Sequence, residues 1–383
     1  MRKNYKRLGD YIQLVDERNS DLKVSKLVGV TINKEFIPSV ANTIGTDMTN
    51  YKIIRKDQFA CCLMQVRRDK KIPIALFLEE EPAIITQAYP VFEIVETHVL
   101  LPEYLMMWFS RVEFDRQACF HAVGGVRGSL EWSDFCNFML PIPDITQQQA
   151  IVDEYQTIER RIQINEELCQ KLEETAQALY RKYFIDDIDP ENLPEGWRMT
   201  EIKEIGEVIT GKTPPTDDED NFGNFMPFIT IPDMHNNVFT FKTERYLSKK
   251  GALSQKNKTL PENSICVSCI GTAGLVTIVT EPSQTNQQIN SIVCHKDFSV
   301  YYIFLTMRNL SHIVQSHGEK GSVGNNLNKQ EFSNLMLVVP SGDMMKEFQN
   351  RVEPIFEVIK YRSKETHKLK ELLSLLLAKM GRE

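Results

Sequence analysis

The stretch that decides the fold is residues 151–183, which read IVDEYQTIERRIQINEELCQKLEETAQALYRKY. Apolar residues recur there at alternating spacings of four and three, and residues 348–380 repeat the pattern. A seam sustained over several heptads is typical of coiled-coil packing. The seam positions that we expect to pack are Ile151, Tyr155, Ile158, Ile162, Leu172 and Leu179 in the first stretch, and Phe348, Val352, Ile355, Ile359, Leu369, Leu373 and Leu376 in the second.

Both seams weaken at their two central layers, Asn165/Cys169 and Arg362/Thr366. Two helices of matched length in one chain pair most simply with each other. An antiparallel pairing about their midpoints would bring Asn165 near Thr366 and Cys169 near Arg362. Polar layers at the middle of a seam fix the register at some cost in stability.

The chain also matches itself when it is shifted by 197 residues. At that shift Phe135 falls on Phe332, and Pro143, which precedes the first long helix, falls on Pro340, which precedes the second. The register drifts between these points, as loops of unequal length would cause. A period this long is far above the ~20–50 residues of solenoid repeats, so we infer a duplicated domain.

Each half is a mixed α/β globule followed by its long helix. Strand-like runs at 59–66, 72–78 and 88–95 are matched by runs at 264–270, 275–280 and 289–295, and an apolar helical stretch follows each set, at 104–120 and 301–315. The acidic, turn-rich segment 186–197 is a candidate linker. We therefore predict an α+β fold with a first globular domain at 1–143, a spacer helix at 144–185, a linker and domain start at 186–197, a second globular domain at 198–340 and a second spacer helix at 341–383.

Composition narrows the class of protein. The chain has 383 residues, of which 42% are hydrophobic and 25% charged, and no apolar run approaches the ~18 residues of a membrane span. Its basic start lacks the apolar stretch of a signal peptide, so we expect a cytoplasmic protein whose eight cysteines are reduced and buried. The formal net charge of −7 does not by itself favour nucleic-acid binding, which normally needs a basic face.

One segment matches a nucleotide-binding motif by letter. Residues 206–213 fit the phosphate-binding loop G-x-x-x-x-G-K-[ST], which requires a helix to begin at Lys212–Thr213 so that free N–H groups face the phosphates. Pro214 and Pro215 follow at once and remove two of those donors. We expect an ordinary loop, and an enzyme using this segment is the weakest of our functional hypotheses.

Other catalytic and metal-binding patterns are weak. Cys266, Cys269, Cys294 and His295 could supply zinc ligands, but side chains three apart, or adjacent, on a strand point to opposite faces. The seven histidines show no spacing typical of a catalytic triad or metal site. We expect no metal site and no catalytic residue in this chain.

Several short segments together resemble the specificity subunit of type I restriction-modification systems, over essentially the whole chain. Residues 206–214 resemble the entry of a target-recognition domain, 270–274 its internal Gly-Thr-x-Gly turn, 286–288 the strand that follows and 321–328 the loop before the last strand. Residues 194–197 resemble the start of the second such domain. The first half departs from this pattern, with Arg67–Lys71 in place of Gly271–Gly274 and Gly124–Ser129 in place of Gly321–Asn326.

The resemblance implies a non-catalytic subunit with two target-recognition domains, each reading one half of a bipartite, asymmetric target in double-stranded DNA. The helices would set the spacing and dock methyltransferase subunits, of which we expect two, and restriction or translocase subunits are a further open partner. S-adenosylmethionine and ATP would bind only those partners, and this chain would hold no cofactor. A seam about 50 Å long suits two readers one DNA turn, ~34–36 Å, apart.

For DNA contact we choose basic and amide side chains in the loops, because Arg and Asn can bond base edges bidentately and Lys contacts phosphate. For each of them a solvated loop residue is the competing interpretation. The candidates are Arg67, Arg68, Lys70, Lys71 and Arg127 in the first half, and Lys212, Thr213, Lys320, Asn325, Asn326 and Lys329 in the second.

A coiled-coil adaptor whose two globules bind proteins remains the main alternative. It predicts no sequence-dependent affinity for DNA, and heptad periodicity alone does not exclude it.

Overall fold

The computed structural model describes residues 5–39, 45–124, 128–319 and 327–381. The chain forms two compact units: unit 1 comprises Met1–Arg161 and Leu369–Glu383, and unit 2 comprises Ile162–Lys368. Within the described ranges, no helix has the length and apolar character needed to cross a membrane.

Unit 1 combines short strands with helices. Its strands are β1 (Tyr5–Arg7), β2 (Ile12–Val15), β3 (Val28–Val30), β4 (Phe36–Pro38), β5 (Lys52–Ile54), β6 (Phe59–Cys61), β7 (Ile74–Leu76), β8 (Ala83–Ile85), β9 (Val91–Ile94) and β10 (Met139–Pro141). Its helices are α1 (Val66–Asp69), α2 (Pro102–Phe109), α3 (Val112–His121), α4 (Trp132–Cys136) and the start of α5 (Ile145–Phe184), which ends in unit 2.

Unit 2 also combines short strands with helices. Its strands are β11 (Arg198–Glu201), β12 (Gly206–Thr210), β13 (Phe222–Ile229), β14 (Phe239–Thr240), β15 (Arg245–Leu247), β16 (Ile265–Ser268), β17 (Val276–Val279), β18 (Gln284–Thr285), β19 (Ile289–Cys294) and β20 (Met336–Val339). Its helices are α6 (Ile202–Ile205), α7 (Ile231–Met234), α8 (Lys249–Ser254), α9 (Val300–Asn309), α10 (Ser311–Glu319), α11 (Lys329–Ser333) and most of α12 (Gly342–Lys379), which ends in unit 1.

The main sheets of the two units share one strand order, which confirms the duplication. The sheet of unit 1 runs β2-β9-β6-β7 and that of unit 2 runs β12-β19-β16-β17-β14, so that the equivalent strands occupy equivalent places. The four shared strands are antiparallel in both units, and in unit 2 β14 adds a parallel edge strand. A small antiparallel pair also recurs: β1 with β10, and β11 with β20.

Aromatic clusters fill the two cores. In unit 1, Phe59 stacks on Phe92 with ring centroids 5.0 Å apart, and Phe109 packs edge-on against Phe59. In unit 2, Phe184 of α5 packs against Tyr302 of α9 and Phe348 of α12, each at 4.8 Å. Each fully buried ring contributes about 1.5–3 kcal/mol of transfer free energy, so these clusters fix the helices on their sheets.

The two long helices pair as an antiparallel coiled coil, as predicted. In unit 2, Asn165 Nδ2 donates to Glu365 Oε2 at 2.9 Å, and Cys169 Sγ lies 3.8 Å from Ser363 Oγ. These partners differ by one residue from the predicted Thr366 and Arg362. Asp144 begins α5 by accepting from the backbone N–H groups of Thr146 and Gln147.

The predicted seam lies on the packed side of both helices. Ile158, Ile162, Phe348, Val352 and Ile359 are buried, and Ile151, Tyr155, Leu172, Leu179, Ile355, Leu369, Leu373 and Leu376 are partly buried. Burial extends beyond the seam to Val152, Tyr180, Phe184, Met345 and Phe356, because these residues also pack in the cores of their units.

Two sequence interpretations need correction. The run 59–66 is a strand only at β6, and it continues through a turn into α1. The helical stretches 104–120 and 301–315 are each two helices, broken at Ser110–Arg111 and at Leu310. Arg111 is the reason for the first break: its backbone is extended, and its buried guanidinium lies over the Trp108 ring and donates to Leu377 O at 2.9 Å.

Candidate nucleic-acid interface

Three connections meet at one end of the main sheet in unit 2. The pairs Thr210↔Asn290 and Ser268↔Ile289 place the end of β12, the start of β19 and the end of β16 side by side. The segments that leave these strand ends are Gly211–Thr213, Gly271–Gly274 and Asn286–Gln288. We call these three segments the loop edge of unit 2.

Gly211 allows two of these segments to touch. A Cβ built on Gly211 would lie 2.1 Å from Asn286 O, so only glycine fits without a shift of the backbone. The next residue follows the same path, since Lys212 N donates to Thr285 O at 2.9 Å. Thr213 Oγ1 then donates to Gln287 Oε1 at 2.7 Å.

Two buried glutamines support the backbone at Lys212 from the interior of unit 2. Gln255 Nε2 donates to Lys212 O and to Gln284 Oε1, both at 2.8 Å. Gln284 Nε2 in turn donates to Ala252 O at 2.9 Å. Sequence reasoning missed both residues, because no local sequence signal distinguishes a buried glutamine from a solvated one.

The glycine turn forms the third part of the loop edge. Gly271 and Gly274 have φ values of +76° and +88°, which L side chains rarely adopt. A Cβ on Gly271 would lie 3.4 Å from Gln288 Nε2, and Asn286 Nδ2 donates to Gln288 Oε1 at 2.9 Å. The turn and the amide pair therefore adjoin each other.

The loop edge presents donors and acceptors to solvent. Lys212, Thr272 and Gln287 are exposed, and Thr213 is partly exposed. Lys329 is exposed in the first turn of α11, two residues after Leu327, whose carbonyl accepts from Asn290 Nδ2 at 3.3 Å. An ammonium group can contact a phosphate and a side-chain amide can bond a base edge, so this set suits nucleic acid chemically. Gln287 and Thr272 were missed as candidates, although both stand inside segments that the sequence singled out.

Residues 206–213, which match the phosphate-binding loop motif, do not have the structure that binds a nucleotide. Residues 206–210 form β12, and residues 211–218 are non-helical. No helix begins at Lys212–Thr213, so the N–H groups that such a motif aims at phosphates are not supplied by a helix start here. The Lys212 and Gly211 N–H groups are used by Thr285 O and Ile289 O.

In unit 1 the candidate residues occupy the equivalent connection. Arg67, Arg68 and Lys70 lie on or just after α1, which joins β6 to β7 as Gly271–Gly274 joins β16 to β17. The divergent segments Arg67–Lys71 and Gly271–Gly274 are therefore structural counterparts. Lys71 is also exposed, and it lines a neighbouring cleft of unit 1.

Two of these arginines already have partners. The guanidinium of Arg67 donates to Gly124 O at 3.1 Å, and a Cβ on Gly128 would lie 2.6 Å from Arg67 Cγ. Arg67 therefore links the β6–β7 connection to Gly124 and Gly128, while its side chain remains exposed. Arg68 forms a 2.7 Å ion pair with Asp69 and holds the pKa of that carboxyl below its usual value. Arg127, Lys320, Asn325 and Asn326 lie outside the described residues.

Of the three thiols considered as metal ligands, Cys266 and Cys269 are buried and Cys294 is partly buried. Cys266 Sγ accepts from Ser291 Oγ at 3.4 Å, and Cys269 Sγ accepts from Asn290 Nδ2 at 3.3 Å. Burial raises the pKa of Cys266 to about 12 and that of Cys269 to about 11. Among the described residues, no group of three or more His, Cys, Asp or Glu side chains could hold a metal ion.

Comparison with known proteins gives consistent matches. The family model described as "Type I restriction modification DNA specificity domain" matches residues 194–376. The type I restriction enzyme HindI specificity subunit of Haemophilus influenzae is 29% identical over 363 residues, with 76% of this chain and 79% of that protein covered. The MjaIX specificity subunit of Methanocaldococcus jannaschii is 25% identical over 192 residues, with 49% of this chain and 44% of that protein covered.

A solved structure shares the fold over almost the whole length. The crystal structure of a type I restriction-modification system S subunit from M. genitalium superposes with a TM-score of 0.61, covering 98% of this chain and 95% of that chain at 12% identity. At this identity the likeness concerns the fold alone. Residues 194–376 therefore match the DNA specificity domain of type I restriction-modification systems, and the chain is similar in sequence to the HindI specificity subunit over 76% of its length.

Proposed function

We propose that this chain reads a bipartite, asymmetric DNA target, with one half-site for each of its two target-recognition domains. The observation that carries the proposal is the shared strand order of the two units, combined with connections that differ at the equivalent place. A common scaffold with an Arg- and Lys-bearing connection in unit 1 and a glycine turn in unit 2 suits the reading of two different sequences. Side chains that differ in donors and reach would select different base edges.

The long helices are the proposed spacer and docking surface. In unit 2, α12 leaves Val358 and Tyr361 42% and 66% exposed, and in unit 1 it leaves Leu372 and Leu375 41% and 67% exposed. Exposed apolar side chains on a helix suit contact with protein, and we assign this surface to methyltransferase subunits, two per chain.

The chemistry belongs to the partners in this proposal. S-adenosylmethionine and ATP would bind the methyltransferase subunits and any restriction or translocase subunits, and this chain would hold no cofactor. We place the chain in the cytoplasm, where the DNA lies.

The DNA-contact part of the proposal is tested by Lys212→Ala in the complex with the cognate methyltransferase subunits. Because Lys212 is exposed and only its backbone supports the loop edge, the variant should unfold like the wild type. Loss of one phosphate contact should weaken target binding and reduce the slope of log affinity against log salt by about 1. Fluorescence anisotropy at several salt concentrations measures both.

Lys296→Ala is the matched control. Lys296 is also exposed, but it follows the end of β19 that lies away from the loop edge. The affinity of the Lys296→Ala variant for target DNA, and the slope of log affinity against log salt, should stay at the wild-type values. If the two substitutions have equal effects, or if neither has an effect, the proposal that Lys212 contacts DNA is wrong.

A further inference from the structure

Unit 1 contains a cleft of about 650 Å³ whose lining includes one of the residues proposed for DNA contact, Lys71, and otherwise has no assigned role. It is bounded by the turn between β3 and β4, the end of β7, helix α2 and the nearby parts of α5 and α12. Its lining includes three apolar side chains that remain largely exposed: Ile32 at 47%, Leu78 at 60% and Val112 at 60%. Exposed apolar groups gathered around one concavity indicate a binding surface for protein rather than scattered surface residues.

A buried ion pair shapes the cleft in advance. Lys34 Nζ lies 2.9 Å from Asp115 Oδ1, with the two side chains only 8% and 10% exposed. Lys34 also donates to Phe109 O, and Asp115 Oδ1 accepts from Ile72 N at 3.2 Å. These bonds fasten the β3–β4 turn to α2 and α3, so that the cleft needs no partner to form.

The rim of the cleft carries an excess of negative charge. Lys34 and Asp115 neutralise each other, and Glu79 is paired with Lys26. The remaining charged lining residues are Glu35, Glu103 and Glu159 against Lys71, which is three carboxylates against one ammonium group. The surrounding protein desolvates the Glu159 carboxylate and raises its pKa, so a nearby cation would stabilise its charged form.

We propose that this cleft receives a segment of a partner protein that is both apolar and basic. Its apolar side chains would cover Ile32, Leu78 and Val112, and its Lys or Arg side chains would face Glu103 and Glu159. The same carboxylates oppose a phosphate backbone or an acidic peptide. A second copy of this chain is also disfavoured, because each copy has a net charge of −7.

A synthetic helical peptide made only of Lys and Leu serves as the probe, and the same peptide with Glu in place of Lys serves as its counterpart. Binding to the full chain is measured by fluorescence anisotropy. Glu103→Gln/Glu159→Gln should weaken the Lys/Leu peptide at least about fivefold, through the loss of two ion pairs. Leu78→Ser should weaken it about threefold or more, through the loss of apolar contact area.

Matched variants separate the cleft from general attraction to an acidic protein. Glu131→Gln/Glu154→Gln removes two exposed carboxylates of unit 1 outside the cleft, and Leu253→Ser removes a leucine that is 57% exposed in unit 2. Both should leave peptide binding unchanged. The proposal is overturned if these controls weaken binding as much as the cleft variants do, or if the Glu/Leu peptide binds equally well.

The test is independent of DNA reading. The cleft variants should retain wild-type affinity for target DNA in the methyltransferase complex, so a failure of this proposal is distinguishable from a failure of the proposed function.

Discussion

The stability of unit 1 depends on single residues, and Lys34 is the clearest case. Replacing it in Lys34→Met leaves the Asp115 carboxylate buried without its cation. We expect the free energy of unfolding to fall by about 3–5 kcal/mol, the usual effect of breaking a buried pair from one side. Urea denaturation measures the loss.

The double variant Lys34→Met/Asp115→Asn is the control for this prediction. The asparagine removes the buried charge but keeps an oxygen for the Ile72 N–H group. It should recover more than half of the lost stability, because the penalty comes from the unpaired charge. If the double variant is as unstable as Lys34→Met or worse, the pair does not have this role.

Burial also controls the reactivity of single thiols. Cys266 and Cys269 have pKa values raised to about 12 and about 11, so at pH 8 almost none of their thiolate is present to react with iodoacetamide. Cys119 and Cys136 are partly exposed and should be alkylated first, as peptide mass spectrometry over time would show. Rapid labelling of Cys266 in the folded chain would contradict the packing of the sheet.

The same shifts set a direction for stability against pH. The folded state favours the protonated thiols, and their pKa values lie above the ordinary value of 9.0. Their contribution to stability is therefore present below pH 9 and is lost as the pH rises toward 11 and 12.

At the scale of elements, the polar layer of the coiled coil carries the register. Asn165 is only 1% exposed and donates to Glu365, which also accepts from Arg362 at 2.9 Å. Asn165→Ala removes one partner from this buried set, so we expect a loss of about 1–3 kcal/mol in the free energy of unfolding. Thermal and urea denaturation of the full chain measure it.

Gln163→Ala is the comparison for that layer. Gln163 lies two residues earlier on α5 and bonds only the exposed Glu167 in the same helix. Its replacement should change stability by no more than about 0.5 kcal/mol. Equal effects of the two substitutions would mean that the layer does not fix the pairing.

The helical seam could be predicted because its spacing is local. Ile158, Ile162, Phe348, Val352 and Ile359 follow the heptad rule and are buried. Phe184, Met345 and Phe356 were not predicted, since they pack in the core of unit 2, and heptad spacing carries no information on long-range contacts. The break at Arg111 has the same origin, because Leu377, whose carbonyl accepts from Arg111, is distant in the sequence and meets it only in the folded chain.

The candidate interface was predictable in part for a similar reason. The glycines at 211, 271 and 274 predict turns from the sequence alone. Lys212 could be chosen as a candidate because it directly follows Gly211. Gln255 and Gln284 support that place from the interior, and no local signal separates them from solvated amides.

At the scale of the whole molecule, the duplication is the feature on which the proposed reading of two half-sites depends. One scaffold occurs twice, and its equivalent connections differ in sequence and in conformation. If each copy reads its own half-site, then one copy should be replaceable without changing what the other reads.

The most direct test is genome-wide mapping of DNA methylation in a host that expresses the cognate methyltransferase subunit with the wild-type chain, with a chimera in which another recognition domain replaces residues 191–339, or without the chain. Our account predicts a split, asymmetric motif that appears only with the chain, and a chimera that changes one half of that motif alone. If the complex assembles and no methylated motif depends on the chain, the DNA-reading account is wrong and the protein-binding adaptor takes its place.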